Sequence, residues 1–182
     1  TKKTIKPVRF SLDDAQSAAG GRFNCGPAAL CAIADLLPDE AVSHLRGFDR
    51  KGYTNPSMMQ QALGELGIKF QRVYECLGLG VARSPIYPSF GLVRVQWAGP
   101  WTKPGVPVGA RYRHTHWIAA SDDMRFDVNA MCVGGWLPRA EWETQLVPWL
   151  LKECEPKATG EWWPTHCWQI PQGAHHKQEP ST

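Results

Sequence analysis

The sequence predicts an α+β protein in which N-terminal helices pack on an antiparallel β-sheet. Helix patterns dominate the first part of the chain, and patterns typical of strands follow one another in the rest. That segregation is typical of the α+β class, because helices and strands that alternate would instead predict a parallel sheet. The 182 residues are 43% hydrophobic and 20% charged, which is enough apolar material for the core of one domain.

Two segments near the N-terminus carry clear helix signals. Residues 26–37, GPAALCAIADLL, are apolar and rich in alanine, which favours a buried helix with Pro27 in its first turn. Residues 54–67, TNPSMMQQALGELG, offer a capping residue, an early proline and apolar residues at helical spacing. Gly67 is placed to end this helix in a left-handed conformation. The small residues of AQSAAGGR, at 15–22, predict a loop.

Strand patterns fill most of the remaining chain. Segments rich in β-branched and aromatic residues predict strands, and they lie at 68–74, 90–97, 111–121, 125–131 and 165–170. The third and fourth are close enough to form a hairpin. Residues 138–151 predict a helix that Pro148 bends or restarts. We expect loops at 75–89 and 98–110, one domain over 1–170, and a disordered tail at 171–182.

Charge and cysteine content exclude several classes of function. The net charge of +3 comes from scattered Lys and Arg, so no nucleic-acid surface is predicted. No run of about 18 apolar residues predicts a membrane span. No signal peptide is visible, which favours the cytoplasm and leaves other export routes open. The six cysteines contain no CxxC pair, so we expect reduced thiols and no metal or other cofactor.

The segment FNCGPAALC, at 23–31, places a cysteine at the start of the predicted buried helix. The unpaired N–H groups and partial positive charge of a helix N-terminus stabilise an anion, so the pKa of Cys25 should lie below about 8.5. Gly26 gives the backbone room, and an N–H group of this turn can point at an oxyanion. The same position also suits a buried structural cysteine.

A reactive thiolate needs a proton partner, and histidine is the usual one. His114 and His116 lie in RYRHTHWIAAS, where alternation puts both side chains on one face of a predicted buried strand. The other four histidines lie in polar segments, in the tail or in the last short strand. A rigidly held imidazole is therefore expected in the strand at 111–121.

The following strand supplies a group that can orient the imidazole. In RFDVNA, Asp127 and Asn129 share one face. If the turn falls at the two aspartates before this segment, Asp127 lies opposite Ile118 and diagonal to His116, while Asn129 lies opposite His116. Either side chain could fix the tautomer of the ring, and a shift of one residue in the register decides between them.

Three segments resemble the papain-like cysteine peptidases, and within them the bacteriocin-processing C39-like peptidases. NCGPAAL is similar to the Cys-Gly-Pro-Ala block that opens the central helix of the family. LGELGIKF is similar to the segment that leads from its second helix into a strand. HWIAAS followed by RFDVNA is similar to its His-aromatic strand and the Asp-containing strand after it. The resemblance covers roughly residues 10–132 and does not extend to 133–182.

The resemblance implies a papain-like fold and a hydrolase that cleaves a peptide or amide bond of a peptide or protein substrate through a thioester. It implies Cys25 as the nucleophile, His116 as general base and then acid, and Asp127 as the orienting acid. It also implies an oxyanion-hole glutamine before the cysteine. Gln16 is the candidate, although it stands nine residues upstream, further than is usual in the family.

Three further residues next to the predicted catalytic pair are candidates for substrate contacts, namely Asn24, Gly26 and Trp117. Asn24 and Gly26 flank the cysteine. Trp117 follows the histidine, so it either packs over the site and excludes water or belongs to the core alone.

Other functions fit the same residues. His114 and His116 could bind zinc with Cys25 or Asp127. A papain-like binding module could retain the triad without activity. A thiol acyltransferase, an isopeptidase or an amidase acting on cell-wall peptide would use the same triad and the same thioester.

Overall fold

The computed structural model describes residues 5–76, 84–97, 114–154 and 158–171. The predicted loop at 98–110 and nearly all of the predicted tail at 171–182 lie outside these ranges. The described residues form an α+β structure with seven α-helices and a six-stranded antiparallel sheet, which confirms the predicted class.

Five helices precede the sheet in the chain. They are α1 (Leu12–Gly21), α2 (Cys25–Ala34), α3 (Pro38–His44), α4 (Phe48–Lys51) and α5 (Pro56–Glu65). Asn24 caps α2 and Asn55 caps α5, and in each case the side-chain oxygen accepts a backbone N–H of the first turn. Gly67 has a φ of +67°, as its predicted role after α5 requires.

The six strands pair antiparallel throughout, in the spatial order β1-β6-β2-β3-β4-β5. They are β1 (Gln71–Glu75), β2 (Phe90–Trp97), β3 (Thr115–Ser121), β4 (Met124–Phe126), β5 (Trp136–Pro138) and β6 (Trp162–Gln169). Among the described residues, the last strand, β6, therefore lies between the first two, β1 and β2. The central strands β2 and β3 are almost entirely buried, because both of their faces are covered.

The helical segment between β5 and β6, called the late helical segment below, covers the second face of the sheet. It comprises α6 (Arg139–Glu141), a π-helical turn at Trp142–Leu146, α7 (Val147–Trp149) and a second π-helical turn at Leu150–Cys154. Pro148 is the middle residue of α7, which follows the first π-helical turn. A proline removes one backbone donor from a helix, and the interruption predicted at this residue coincides with the change of helix type.

The core has two parts, one on each face of the sheet. On the first face, α2 and α5 bury Leu30, Met59 and Leu63 against a row that includes Trp117 and Trp168. On the second face, the late helical segment buries Trp142, Val147 and Leu150 against residues that include Val95 and Ile118. Successive residues of β3 therefore contribute to opposite halves of the core.

Two sequence predictions were wrong in part. Residues 15–22 belong largely to α1, which begins with a capping box between Ser11 and Asp14. The predicted loop is present at 18–22, because the backbone leaves the helical conformation at Ala18–Gly20, Gly21 has a φ of +79° and Arg22 follows the helix. The predicted strand at 125–131 ends early, because Asp127 caps a 3₁₀ turn at Val128–Val133.

We expect the replacement Gly91→Ala to destabilise the sheet. Gly91 has a φ of +155°, and an added Cβ would lie 1.9 Å from the backbone oxygen of Trp168 on β6. Because Gly91 and Trp168 both lie in paired strands, neither strand can move without loss of ladder hydrogen bonds. The free energy of unfolding should fall by about 2–4 kcal/mol in urea titrations.

Gly64→Ala is the matched control for that substitution. Gly64 lies in α5, and an added Cβ there has no neighbour within 4 Å. Alanine should stabilise this helix by up to about 1 kcal/mol. Equal effects of the two substitutions would contradict the close approach of β2 and β6.

Candidate active site

Cys25 is the first residue of α2, and local contacts hold that helix end in place. The side chain of Asn24 accepts a hydrogen bond from the Gly26 backbone N–H at 3.3 Å and donates one to the Gly52 carbonyl oxygen at 2.8 Å. Gly26 packs so closely on Thr54 that an added Cβ would lie 2.2 Å from the hydroxyl oxygen. The segment at 52–54 therefore fixes the position of the cysteine.

His116 on β3 contacts both other members of the predicted triad. Its Nε2 lies 2.7 Å from Oδ2 of Asp127, and its side chain hydrogen-bonds to Cys25. Since Asp127 occupies Nε2, Nδ1 is the nitrogen available to the thiol. His116 is 7% exposed and Asp127 is fully buried. The structure thus brings Cys25, His116 and Asp127 into one hydrogen-bonded chain.

Asp127 accepts four hydrogen bonds. Oδ2 accepts from His116 and, at 2.9 Å, from the indole Nε1 of Trp142. Oδ1 accepts from the backbone N–H and the side-chain Nδ2 of Asn129, each at 2.9 Å. Asp127, and not Asn129, therefore orients the imidazole. Asn129 supports Asp127 from the opposite side.

The hairpin register explains this outcome. Ala119 pairs with Phe126 and Ser121 with Met124, which is the register predicted from the two aspartates. Because β4 ends at Phe126, Asn129 never reaches its predicted place opposite His116. The missing partner also leaves one edge of β3 open, and there the backbone N–H of Trp117 donates to the sulfur of Cys25.

The electrostatics of the triad favour an ion pair between the Cys25 thiolate and the His116 imidazolium. Burial alone would raise the pKa of Cys25, but the charge of His116 and the hydrogen bonds from His116 and Trp117 lower it overall. Burial likewise opposes the charged form of His116, but Asp127 and Cys25 raise its pKa well above 6.5. Burial also opposes ionisation of Asp127, and the donors around it nevertheless lower its pKa.

Two tryptophans next to the histidine play different parts. The ring of Trp97 stacks on the imidazole of His116, with centroids 5.6 Å apart and planes at 26°. Trp117 is 2% exposed, donates its indole N–H to the Thr54 carbonyl at 2.9 Å and packs beside Trp168. Its indole thus belongs to the core, and it is the Trp117 backbone that contacts the cysteine.

A cleft of about 620 Å³ lies over Cys25 and His116. Among the other predicted site residues, Gln16, Asn24 and Trp117 line the cleft and Gly26 does not, because Gly26 packs against Thr54. Gln16 is exposed in the regular first half of α1. The non-helical stretch Ala18–Gly20 takes up the extra residues between the glutamine and the cysteine, so the unusual spacing does not keep Gln16 out of the cleft.

No motif in the sequence indicates that Trp97 and Trp142 belong to the site. Both sit in patterns that predicted core residues of a strand and a helix. For Trp97, the available signal was its place at the end of a predicted strand that could lie beside the predicted catalytic histidine. No local signal points to Trp142, because a hydrogen bond across 15 positions depends on how the late helical segment folds back.

The described residues contain no group of three or more His, Cys, Asp and Glu side chains placed to hold a metal ion. His116 uses both ring nitrogens within the triad. In the same parts of the chain, no helix has the length and apolar character needed to cross a membrane.

No protein-family model, no curated protein and no solved structure matches this chain.

We expect Asp127→Asn to destabilise the protein in a pH-dependent way. Four donors surround the carboxylate, so an amide NH₂ would have to face at least one of them. The free energy of unfolding should fall by about 3 kcal/mol at neutral pH. The pKa of Asp127 is lowered from 3.8, so its stabilisation is complete above that value and is lost as the pH falls through the folded-state pKa.

Chemical unfolding at neutral and acidic pH tests this expectation. The control is Asp123→Asn, because the side chain of Asp123 is 90% exposed. Its stability should match that of the wild type at each pH. A difference between Asp127→Asn and wild type that stays constant down to strongly acidic pH would contradict the ionised, hydrogen-bonded carboxylate.

Proposed function

We propose that this protein is a cysteine-dependent hydrolase of the papain-like type, which cleaves a peptide or amide bond of a peptide or protein substrate. One observation carries the proposal. Cys25, at a helix N-terminus, hydrogen-bonds to the imidazole of His116, which a buried carboxylate orients. Both Cys25 and His116 line a cleft. A nucleophile, a base and an orienting group in this order are the parts that acyl transfer through a thioester needs.

The architecture supports the same proposal. The nucleophile opens the buried helix α2, which packs on the central strand β3, and the same strand carries the base. The chain order Cys, His, Asp and the sequence likeness to the C39-like peptidases agree with a papain-like arrangement. Fold alone does not define an activity, and the stronger support comes from the triad and its place beside the cleft.

In the proposed reaction, the thiolate of Cys25 attacks the carbonyl carbon of the scissile bond. The new S–C bond displaces the carbonyl π electrons onto oxygen, and the Cys25 backbone N–H and the Gln16 amide stabilise this oxyanion. The oxyanion then collapses, the C–N bond breaks, and Nδ1–H of His116 protonates the leaving amine. A thioester remains on Cys25.

Hydrolysis of the thioester reverses these roles. Neutral His116 removes a proton from water, the hydroxide attacks the thioester carbonyl, and the C–S bond breaks to release an acid and the thiolate. Asp127 holds the ring in one tautomer through both steps. Trp97 covers one face of the imidazole, which limits access of water from that side.

Replacement of Cys25 by serine should abolish turnover, because a hydroxyl in this site has a pKa too high to form the ion pair. We expect a loss of activity by a factor of about 10³ or more. A proteome-derived peptide library, analysed by mass spectrometry for new termini, serves as the substrate. The control is Cys132→Ser, which removes an exposed thiol outside the cleft and should leave cleavage unchanged.

Thiol reactivity supports or refutes the proposal independently of any substrate. Iodoacetamide should alkylate Cys25 selectively below about pH 7, and His116→Ala should move this labelling to higher pH. Cleavage that survives Cys25→Ser, or wild-type Cys25 that is labelled no faster than Cys132, would refute the mechanism. Transfer of the acyl group to an added amine, in place of water, would identify an acyltransferase.

We expect Gln16→Ala to reduce turnover about 10²-fold and to leave the pH dependence of Cys25 alkylation unchanged. The amide would act only on the oxyanion, which does not exist in the free enzyme. Gln61→Ala, an exposed glutamine of α5, is the matched control. Unaltered turnover in Gln16→Ala would mean that backbone N–H groups alone stabilise the oxyanion.

A further inference from the structure

Three apolar side chains from separate elements line the cleft over Cys25 and His116. Leu12 belongs to α1, Phe23 to the segment just before α2, and Val128 to the 3₁₀ turn that follows β4. Helix α1 and the 3₁₀ turn are in contact with each other. We call these three side chains the apolar wall.

Ring contacts in the core hold the three elements of the apolar wall together. Phe10 packs edge to face on Phe23, with ring centroids 5.5 Å apart, and on Phe126, with centroids 6.2 Å apart. Phe10 stands two residues before Leu12, and Phe126 stands two residues before Val128. Both phenylalanines are buried, so the wall rests on a packed support.

The apolar wall keeps surface open to a ligand. Six large hydrophobic side chains are exposed among the described residues, and two of them, Leu12 at 39% and Tyr53 at 54%, line this cleft. Phe23 and Val128 are partly buried against the core. Exposed hydrophobic side chains that meet at a cleft are typical of a surface that binds apolar groups.

Leu12 is placed close to the proposed oxyanion position. Leu12 and Gln16 are four residues apart in the regular half of α1, so their side chains lie on one face of that helix. Ala15 shares this face and also lines the cleft. Four residues of helix span about 6 Å along the axis. A substrate whose carbonyl oxygen meets Gln16 therefore has its neighbouring side chains within reach of Leu12.

The cleft offers little to a charged side chain of the substrate. Among the described residues that line it, none is Asp, Glu, Lys or Arg, and its only ionisable pair is Cys25 and His116. A charged group at the apolar wall would lose water without gaining a partner. An apolar group would instead gain free energy from burial against the wall.

We propose that Leu12, Phe23 and Val128 form a specificity subsite that selects peptides with an apolar side chain close to the scissile bond. The proposal rests on the proposed function, because it names the class of substrate for the same cleft. The subsite acts on the choice of substrate and not on the ionisation of Cys25.

The test compares peptides that differ at one position. The peptide library should reveal a preference for apolar residues at one position within two residues of the scissile bond. Three synthetic peptides then carry Leu, Asp or Lys at that position. The wild type should cleave the Leu peptide with a kcat/KM about 10-fold above that of either charged peptide. A wild type without this preference would overturn the proposal.

Two charge substitutions of Leu12 should change the selectivity in opposite directions. Leu12→Lys should raise the ratio of kcat/KM for the Asp peptide over the Leu peptide about 10-fold, and Leu12→Asp should do the same for the Lys peptide. Within one variant both peptides react with the same thiolate, so any effect on the pKa of Cys25 cancels in the ratio. Ratios that stay at the wild-type values would overturn the proposal.

Leu37 supplies the matched control. It is 39% exposed, as Leu12 is, it lies at the start of helix α3, and it does not line the cleft. Leu37→Lys and Leu37→Asp should therefore keep the wild-type ratios. Equal shifts in the Leu12 and Leu37 variants would indicate an effect of net charge and would count against the subsite.

The same data separate this proposal from the proposed function. If the wild type cleaves peptides, Cys25→Ser does not, and the selectivity fails to follow the residue at position 12, only the subsite is refuted. If the wild type cleaves nothing, or if cleavage survives Cys25→Ser, the proposed function fails and the subsite fails with it.

Discussion

Asp127 is a fully buried carboxylate, and the rest of the candidate site depends on how its charge is satisfied. A buried charge is tolerated only when donors replace the water that it has lost. Here the donors come from β3, from the 3₁₀ turn and from the late helical segment, through His116, Asn129 and Trp142. The carboxylate thereby joins three parts of the chain and leaves the imidazole a single orientation.

The early end of β4 is as important as the carboxylate. A strand that continued past Phe126 would have paired with β3 and consumed the edge beside His116. The 3₁₀ turn instead places Asp127 behind the imidazole and frees the Trp117 backbone N–H for the sulfur of Cys25. One local change from strand to turn therefore provides both the orienting group and a hydrogen bond to the nucleophile.

Alternation along β3 divides two neighbouring residues between structure and chemistry. Trp117 points into the core beneath the helices, where its indole bonds to Thr54 and so ties β3 to the segment before α5. His116 points to the opposite side, toward Trp97 and Asp127. Because the same strand is anchored through Trp117, the imidazole is held by a rigid backbone and not by a loop.

The sequence alone determined the class of fold and the candidates for the nucleophile and the base. The α+β class follows from period and order, because hydrophobic spacing reports the local conformation directly. Helix-start chemistry and strand alternation are local properties, and they made Cys25 and the pair His114 and His116 candidates. The resemblance to the papain-like peptidases then singled out His116. The hairpin register followed from its turn, and it correctly placed Asp127 near His116.

Tertiary structure alone decided which residues complete the site. The choice between Asp127 and Asn129 depended on where β4 ends, and that end is set by a capping interaction that competes with strand pairing. Trp97 and Trp142 contact the triad through packing between elements that are distant in the chain. Such contacts carry no local pattern, since the free energy that selects them comes from burial and hydrogen bonding across the assembled fold.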